Sequence, residues 1–123
     1  MKTEQVNQHL VGMSYNDIVP KLEIVQDHGD CCGYSSCEQK EVIPSHVDVD
    51  KLVLRDCVRI SYGDETMDQF ASGSRSVLNF VFTDGSGDLI LGYELSAGSG
   101  SGWGYGAWVE LRLEDSALAS ESW

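Results

Sequence analysis

Apolar and polar residues alternate through the second half of the chain. Over Leu52 to Tyr62, Leu54, Val58, Ile60 and Tyr62 fall on one face and Arg55, Cys57 and Arg59 on the other, which predicts a half-buried strand. Ser76 to Thr83 is nearly continuous in apolar character, with Leu78, Phe80 and Phe82 on one side and Val77 and Val81 on the other. Asp88 to Leu95 puts Leu89, Leu91, Tyr93 and Leu95 on one face, and Ala107 to Leu113 sets Val109, Leu111 and Leu113 against Trp108, Glu110 and Arg112. Asp84-Gly85 between the second and third of these runs supplies the backbone a tight turn needs, so a hairpin is expected at Asp84 to Gly87. Arg75 to Leu113 then reads as a three-strand antiparallel meander whose second connection is the Gly/Ser segment Ser96 to Gly106.

The first half carries weaker signals. Thr3 as N-cap, Val6 and Leu10 at helical spacing, and Gly12 as a C-terminal stop predict a short helix in residues 1–12. Ile18 to Val25 reads as extended. Gln26 to Asp50 is polar and acidic around the short apolar piece Val42-Ile43-Pro44, and Asp115 to Trp123 reads as a polar tail, helical or frayed. Helices of ten or more residues between strands, the mark of a parallel α/β sheet, are missing. The expected fold is therefore α+β and mainly β: a twisted antiparallel sheet or partly closed barrel of five to seven strands with a short N-terminal helix. One domain spans residues 1–123, divided into an N-terminal helix (1–12), an acidic Cys-containing half (13–74), the meander (75–113) and a tail (114–123).

Composition adds the sign of the surface. The 123 residues hold 20 Asp and Glu against 8 Lys and Arg, a formal charge of −12. Direct nucleic-acid binding by phosphate neutralisation and attachment to anionic membrane both need a basic surplus that this chain lacks. No signal-peptide core and no long apolar span occur, so a soluble intracellular protein is expected, with Cys31, Cys32, Cys37 and Cys57 reduced. The acid is also localised: Glu23 to Asp50 holds seven acids against Lys40 alone. Such a surface attracts basic partners and can imitate nucleic-acid phosphates.

Candidate chemistry centres on His28 to Cys37. His28, Cys31 or Cys32, and Cys37 offer three zinc ligands within ten residues, with His46 or Cys57 to complete a tetrahedron. The C-x-x-C knuckle is missing, and Cys31 and Cys32 would point apart on an extended chain. Buried structural thiols are the simpler reading. A thiol nucleophile would need His28 or His46 as base with Asp30 or Asp48 to orient it, and no sequence motif marks that arrangement. The paired carboxylates (Asp48 with Asp50, Asp64 with Glu65, Glu114 with Asp115) read as a solvated acidic face, and Asp48-Val49-Asp50 lacks the Gly and closing Glu of a calcium loop. In the Gly-rich segment, Trp103, Tyr105 and Trp108 form either a hairpin tip that caps the core or an aromatic contact patch.

At His28-Gly29-Asp30-Cys31-Cys32 the chain resembles an uncharacterised family of small proteins, encoded mainly by bacteriophages and by bacteria carrying phage-derived genes, with a short H-x-D-C-C-like signature. In that family the signature follows an opening Leu-x-Gly segment and an extended run, and a β-rich half comes after it. Here Leu10-Val11-Gly12, Leu22 to Val25, the signature and the strands Val77 to Leu113 stand in that order. The chain departs from the family in having Gly33 where an acidic residue often follows the two Cys, and in adding Cys37. The family has no established activity, so the resemblance marks His28, Asp30, Cys31 and Cys32 without assigning them a role. By analogy with small acidic phage proteins it implies an inhibitor of host machinery.

The reading that follows is a non-enzymatic acidic protein that binds a basic host protein acting on nucleic acid or in defence. Its contact residues are Asp27, Asp30, Glu38, Glu41, Asp48, Asp50, Trp103, Tyr105 and Trp108, and no cofactor is expected. The alternative is a small-ligand or metal-binding protein that uses the His28 to Cys37 cluster, with zinc on His28, Cys31, Cys32 and Cys37, or the Gly-rich aromatic segment.

Overall fold

The alternating segments pair as antiparallel strands in two sheets, and the register decides which side chains face inward. In the computed structural model, which describes residues 1–29, 33–66, 72–99 and 106–123, the strands are β1 (Lys2–Gln5), β2 (Leu22–Asp27), β3 (Gly33–Glu41), β4 (Val53–Thr66), β5 (Ser72–Thr83), β6 (Asp88–Ser99), β7 (Trp108–Leu113) and β8 (Ser116–Ser122). Five of them form a sheet in the order β1-β4-β5-β6-β3, and the other three form a second sheet in the order β2-β7-β8. Among the described residues the protein is mainly β, with one short helix near the N-terminus and no closed barrel.

The two sheets bury one core between them. From the larger sheet come Leu54, Cys57, Leu78, Phe80, Phe82, Leu91 and Leu95, and from the smaller Val109, Leu111, Leu113, Leu118 and Ala119. Each large side chain removed from water contributes about 1.5–3 kcal/mol before the entropic cost of ordering it. The β5–β6 hairpin turns where Asp-Gly predicts it. Gly85 takes φ +96°, Asp84 Oδ1 accepts from the Ser86 N–H at 2.8 Å and its hydroxyl at 2.6 Å, and Thr83 Oγ1 accepts from the Gly85 N–H at 3.1 Å.

Five expectations are corrected. The helix lies further along the chain, at α1 (Tyr15–Ile18) and a 3-10 turn through Lys21, while residues 2–5 are β1 and only Gln8–Leu10 make a 3-10 turn. The first segment is needed as an edge strand, pairing Gln5 with Val58 and Lys2 with Ser61. Residues 15–21 can turn because the Tyr15 ring packs against Phe82, 5.3 Å between centroids, and Ile18 is fully buried. Extended structure therefore begins at Leu22 and not at Ile18.

The meander stops at two strands. β7 leaves the five-stranded sheet and pairs with β2 and β8, so the tail residues 116–122 are a strand, anchored by the pairs Leu111 with Ala119 and Val109 with Glu121.

The phase read over Leu52 to Tyr62 holds only to Leu54. A register shift between Leu54 and Asp56 inserts one residue against β5, and such a bulge reverses the side chains beyond it, here as far as a second shift between Ser61 and Gly63. Cys57 therefore faces inward opposite Phe80, wholly buried, while Val58 and Ile60 turn outward.

Candidate partner-binding surface

The acidic contact candidates sit on β2, on β3 and on the loop after β3. Asp27 ends β2, and its Oδ1 accepts from the Gly29 N–H at 2.7 Å, fixing a turn in which Gly29 takes φ +71°. Its cross-strand partner is Trp108, so these two residues share the outward face of the smaller sheet. Glu38 pairs with Glu94 across β3 and β6 on the outward face of the larger sheet, and it holds Lys40 Nζ at 3.0 Å. The negative Glu38 and Glu94 hold the exposed Lys40 ammonium above its ordinary pKa, the Glu38 hydrogen bond being the larger cause. Glu41 is exposed at the end of β3.

Asp48 and Asp50 lie at the far end of the loop. The Asp48 carboxylate accepts from the Asp50 N–H at 3.1 Å and starts the 3-10 turn Val49–Lys51, while Asp50 Oδ1 accepts from Asn16 Nδ2 at 2.6 Å. The fold sets Asp48 in an open cleft of about 430 Å³ with His46, Lys51, Asp84 and Asp88. Asp84 and Asp88 are more than thirty residues away in sequence, and only the pairing of β4 with β5, which sets Val53 opposite Thr83, carries their turn to this end. The sequence marks the turn itself, through Asp84-Gly85, but not the neighbour it meets. The hydrogen bonds from Ser86 hold the Asp84 carboxyl below its ordinary range.

The His28 to Cys37 cluster is dispersed where it is described. His28 is exposed and lines a shallow cleft of about 360 Å³ with Gln26, Asp27 and Ser35. Cys37 points the other way, inward opposite Leu95, and packs on the core. Burial, with the charge of Glu38 added, pushes its thiol up to about 11. Cys57 is pushed up to about 12 by burial, against an opposing hydrogen bond from Asn7. Both thiols are protonated at neutral pH, and a thiol in that state is a poor nucleophile and must lose its proton before it binds a metal. Among the described residues, no group of three or more His, Cys, Asp or Glu is placed to hold a metal ion. Asp30, Cys31, Cys32, Trp103 and Tyr105 lie outside the described residues.

The basic side chains matter as much as the acidic ones. Lys2, Lys21, Lys40, Arg55, Arg59, Arg75 and Arg112 each have a carboxylate oxygen between 2.7 and 3.9 Å away. Asp17, Glu23, Asp27, Glu41, Asp48, Asp50, Asp84 and Asp115 are exposed, and no ion pair to them is found among the described residues. Lys51 apart, the positive charge is paired within the molecule, and the negative surplus faces solvent. No helix among the described residues is long and apolar enough to cross a membrane. Comparison with protein-family models, curated proteins and solved structures finds no match for this chain.

Proposed function

We propose that this chain is a non-enzymatic acidic binding protein that engages a basic surface of a partner protein, of the kind that handles nucleic acid, and blocks it. The observation that carries the reading is the segregation of charge: nearly all the Lys and Arg are occupied by internal carboxylates, while eight further acids stand exposed with no such partner among the described residues. An uncompensated surface of this kind speeds encounter with a basic protein and rejects acidic ones. The two raised thiol pKa values support a binding role over thiol chemistry at Cys37 or Cys57. The resemblance to small phage-encoded proteins supports a host protein in the bacterial cytoplasm as the target.

The test is capture of partners at low ionic strength, with elution by salt and identification of what elutes. A basic nucleic-acid-acting protein is expected, released as the Debye length falls below about 8 Å. The variant Asp27→Asn, Glu41→Gln, Asp48→Asn, Asp50→Asn, with its circular dichroism unchanged, is expected to lose that capture. Capture indifferent to salt and to these four changes, or no capture at all, overturns the proposal.

A further inference from the structure

Edge strands are where a sandwich is open to other chains, and this molecule protects its edges unequally. On one side of the larger sheet the segment before β2 runs along β4: Val6 N–H donates to Cys57 O at 2.9 Å, Gly12 N–H to Leu54 O at 2.8 Å, Leu54 N–H to Met13 O at 2.8 Å and Tyr15 N–H to Leu52 O at 2.9 Å. The outer strand β8 of the smaller sheet has carbonyls taken by side chains, Leu118 O by Asn7 Nδ2 at 3.0 Å and Ser122 O by Ser74 Oγ at 3.2 Å. Of the other strands that end a sheet, β1 is only four residues long, and the longer edges are β2, six residues, and β3, nine residues. They lie against each other on one side of the sandwich, and each ends its sheet among the described strands.

The interior is exposed along this seam. Ile24 pairs with Leu111 and so turns toward the core side of its sheet, yet Leu111 is fully buried and Ile24 is 47% exposed. Gln26 pairs with the buried Val109 and is likewise exposed. The cleft lined by Gln26, Asp27, His28 and Ser35 is one end of this opening.

We infer that the seam takes an extended basic segment of the partner protein as an added strand on the free edge of β2. This inference rests on the basic-partner reading above and names its mode. An added strand gives main-chain hydrogen bonds to the edge and turns alternate side chains to opposite sides. Its inward side chains are apolar and cover Ile24. Its outward side chains are Lys or Arg and meet Glu23 and Asp27 on β2. Charge complementarity selects this occupant over a second copy of the chain, because two surfaces of the same negative sign repel.

The test uses two probe peptides about as long as β3, one alternating Lys with Val and one alternating Lys with Pro. Both carry the same charge, but Pro has no N–H to donate to an edge. The Lys–Val peptide is expected to bind at least about tenfold tighter and to slow hydrogen exchange at the Leu22–Asp27 amides. Ile24→Glu adds negative charge and removes the apolar anchor, so it is expected to weaken binding about tenfold where simple charge attraction would strengthen it. Equal affinity for the two peptides, or protection confined to the Asp48, Asp84 and Asp88 end, overturns the seam and leaves the basic-partner reading standing. Failure of both peptides to bind at low ionic strength overturns both.

Discussion

Arg59 on β4 and Glu121 on β8 join the two sheets, the guanidinium Nη2 lying 2.9 Å from the carboxylate Oε2. Glu121 is the more enclosed partner, its side chain 7% exposed against 22% for Arg59, and Arg59 also holds Glu4 at 3.5 Å. Removing either member of an enclosed pair costs more than the pair contributes, because the charge left behind has been desolvated. The two removals are unequal here. Glu121→Ala leaves Arg59 with Glu4, whereas Arg59→Ala leaves Glu121 enclosed without its guanidinium. Urea denaturation is expected to show Arg59→Ala less stable by about 2–4 kcal/mol and Glu121→Ala by about half that, with the double variant recovering part of the Arg59 loss. Equal losses would show that Glu4 does not share the guanidinium.

The buried thiols make stability fall at alkaline pH. Cys57 holds its proton to about 12 and Cys37 to about 11 in the folded chain, against an ordinary value of 9.0. Above pH 9 the unfolded chain gives up protons that the folded chain keeps, so the stability these groups contribute is complete below pH 9 and declines as pH rises toward 12. Urea midpoints between pH 8 and pH 10.5 are expected to drop, with the Cys57 share approaching about 1 kcal/mol per pH unit. Cys57→Ala is expected to flatten the decline. Neither thiol is expected to react with alkylating reagents in the native protein at pH 8.

Two glycines separate a packing requirement from an incidental one. A Cβ on Gly73 would stand 2.6 Å from Ala97 O, a backbone atom of the neighbouring strand, while a Cβ on Gly87 meets nothing within 4 Å. Gly73→Ala is expected to cost about 2 kcal/mol or more because the β5–β6 pair must shift. Gly87→Ala is expected to be neutral or slightly stabilising through the unfolded chain. Thermal melts of the two variants compare them directly.

Asn79 is a polar residue in a row of valines. It sits on the outward face of β5 between Val77 and Val81, opposite Val58, and its Oδ1 is buried with no hydrogen-bond partner among the described residues. An unsatisfied buried acceptor costs about 1–3 kcal/mol, and Val suits a strand better than Asn. Asn79→Val is expected to raise stability by about 1 kcal/mol in a urea titration. An unchanged midpoint would mean that the side chain finds water in solution.

Local chemistry made some of this protein legible without its fold. The inward sets Leu78, Phe80, Phe82 and Val109, Leu111, Leu113 follow from period two alone, because adjacent side chains on a strand must point to opposite faces. The Asp84 to Gly87 turn follows from the backbone freedom of Gly85 and the short reach of the Asp84 carboxylate. The acidic character of the surface follows from 20 acids against 8 bases.

What depended on contacts between distant residues was not legible. The bulge after Leu54 reverses Cys57, because it is set by how β4 fits against β5 and not by anything in β4 itself. The change of sheet at β7 and the pairing of residues 116–122 depend on β2, some ninety residues earlier in the chain. The candidate surface divides the same way. Sequence supplied Asp27, Glu38, Glu41, Asp48 and Asp50 as acids, whereas tertiary structure alone set Asp27 beside Trp108, gathered Asp48 with Asp84 and Asp88, and left Ile24 uncovered at the seam. The physical reason is one of range. Alternation, turns and net charge are fixed by neighbours in the chain, while register, sheet membership and exposure are fixed by which surfaces meet when the chain closes on itself.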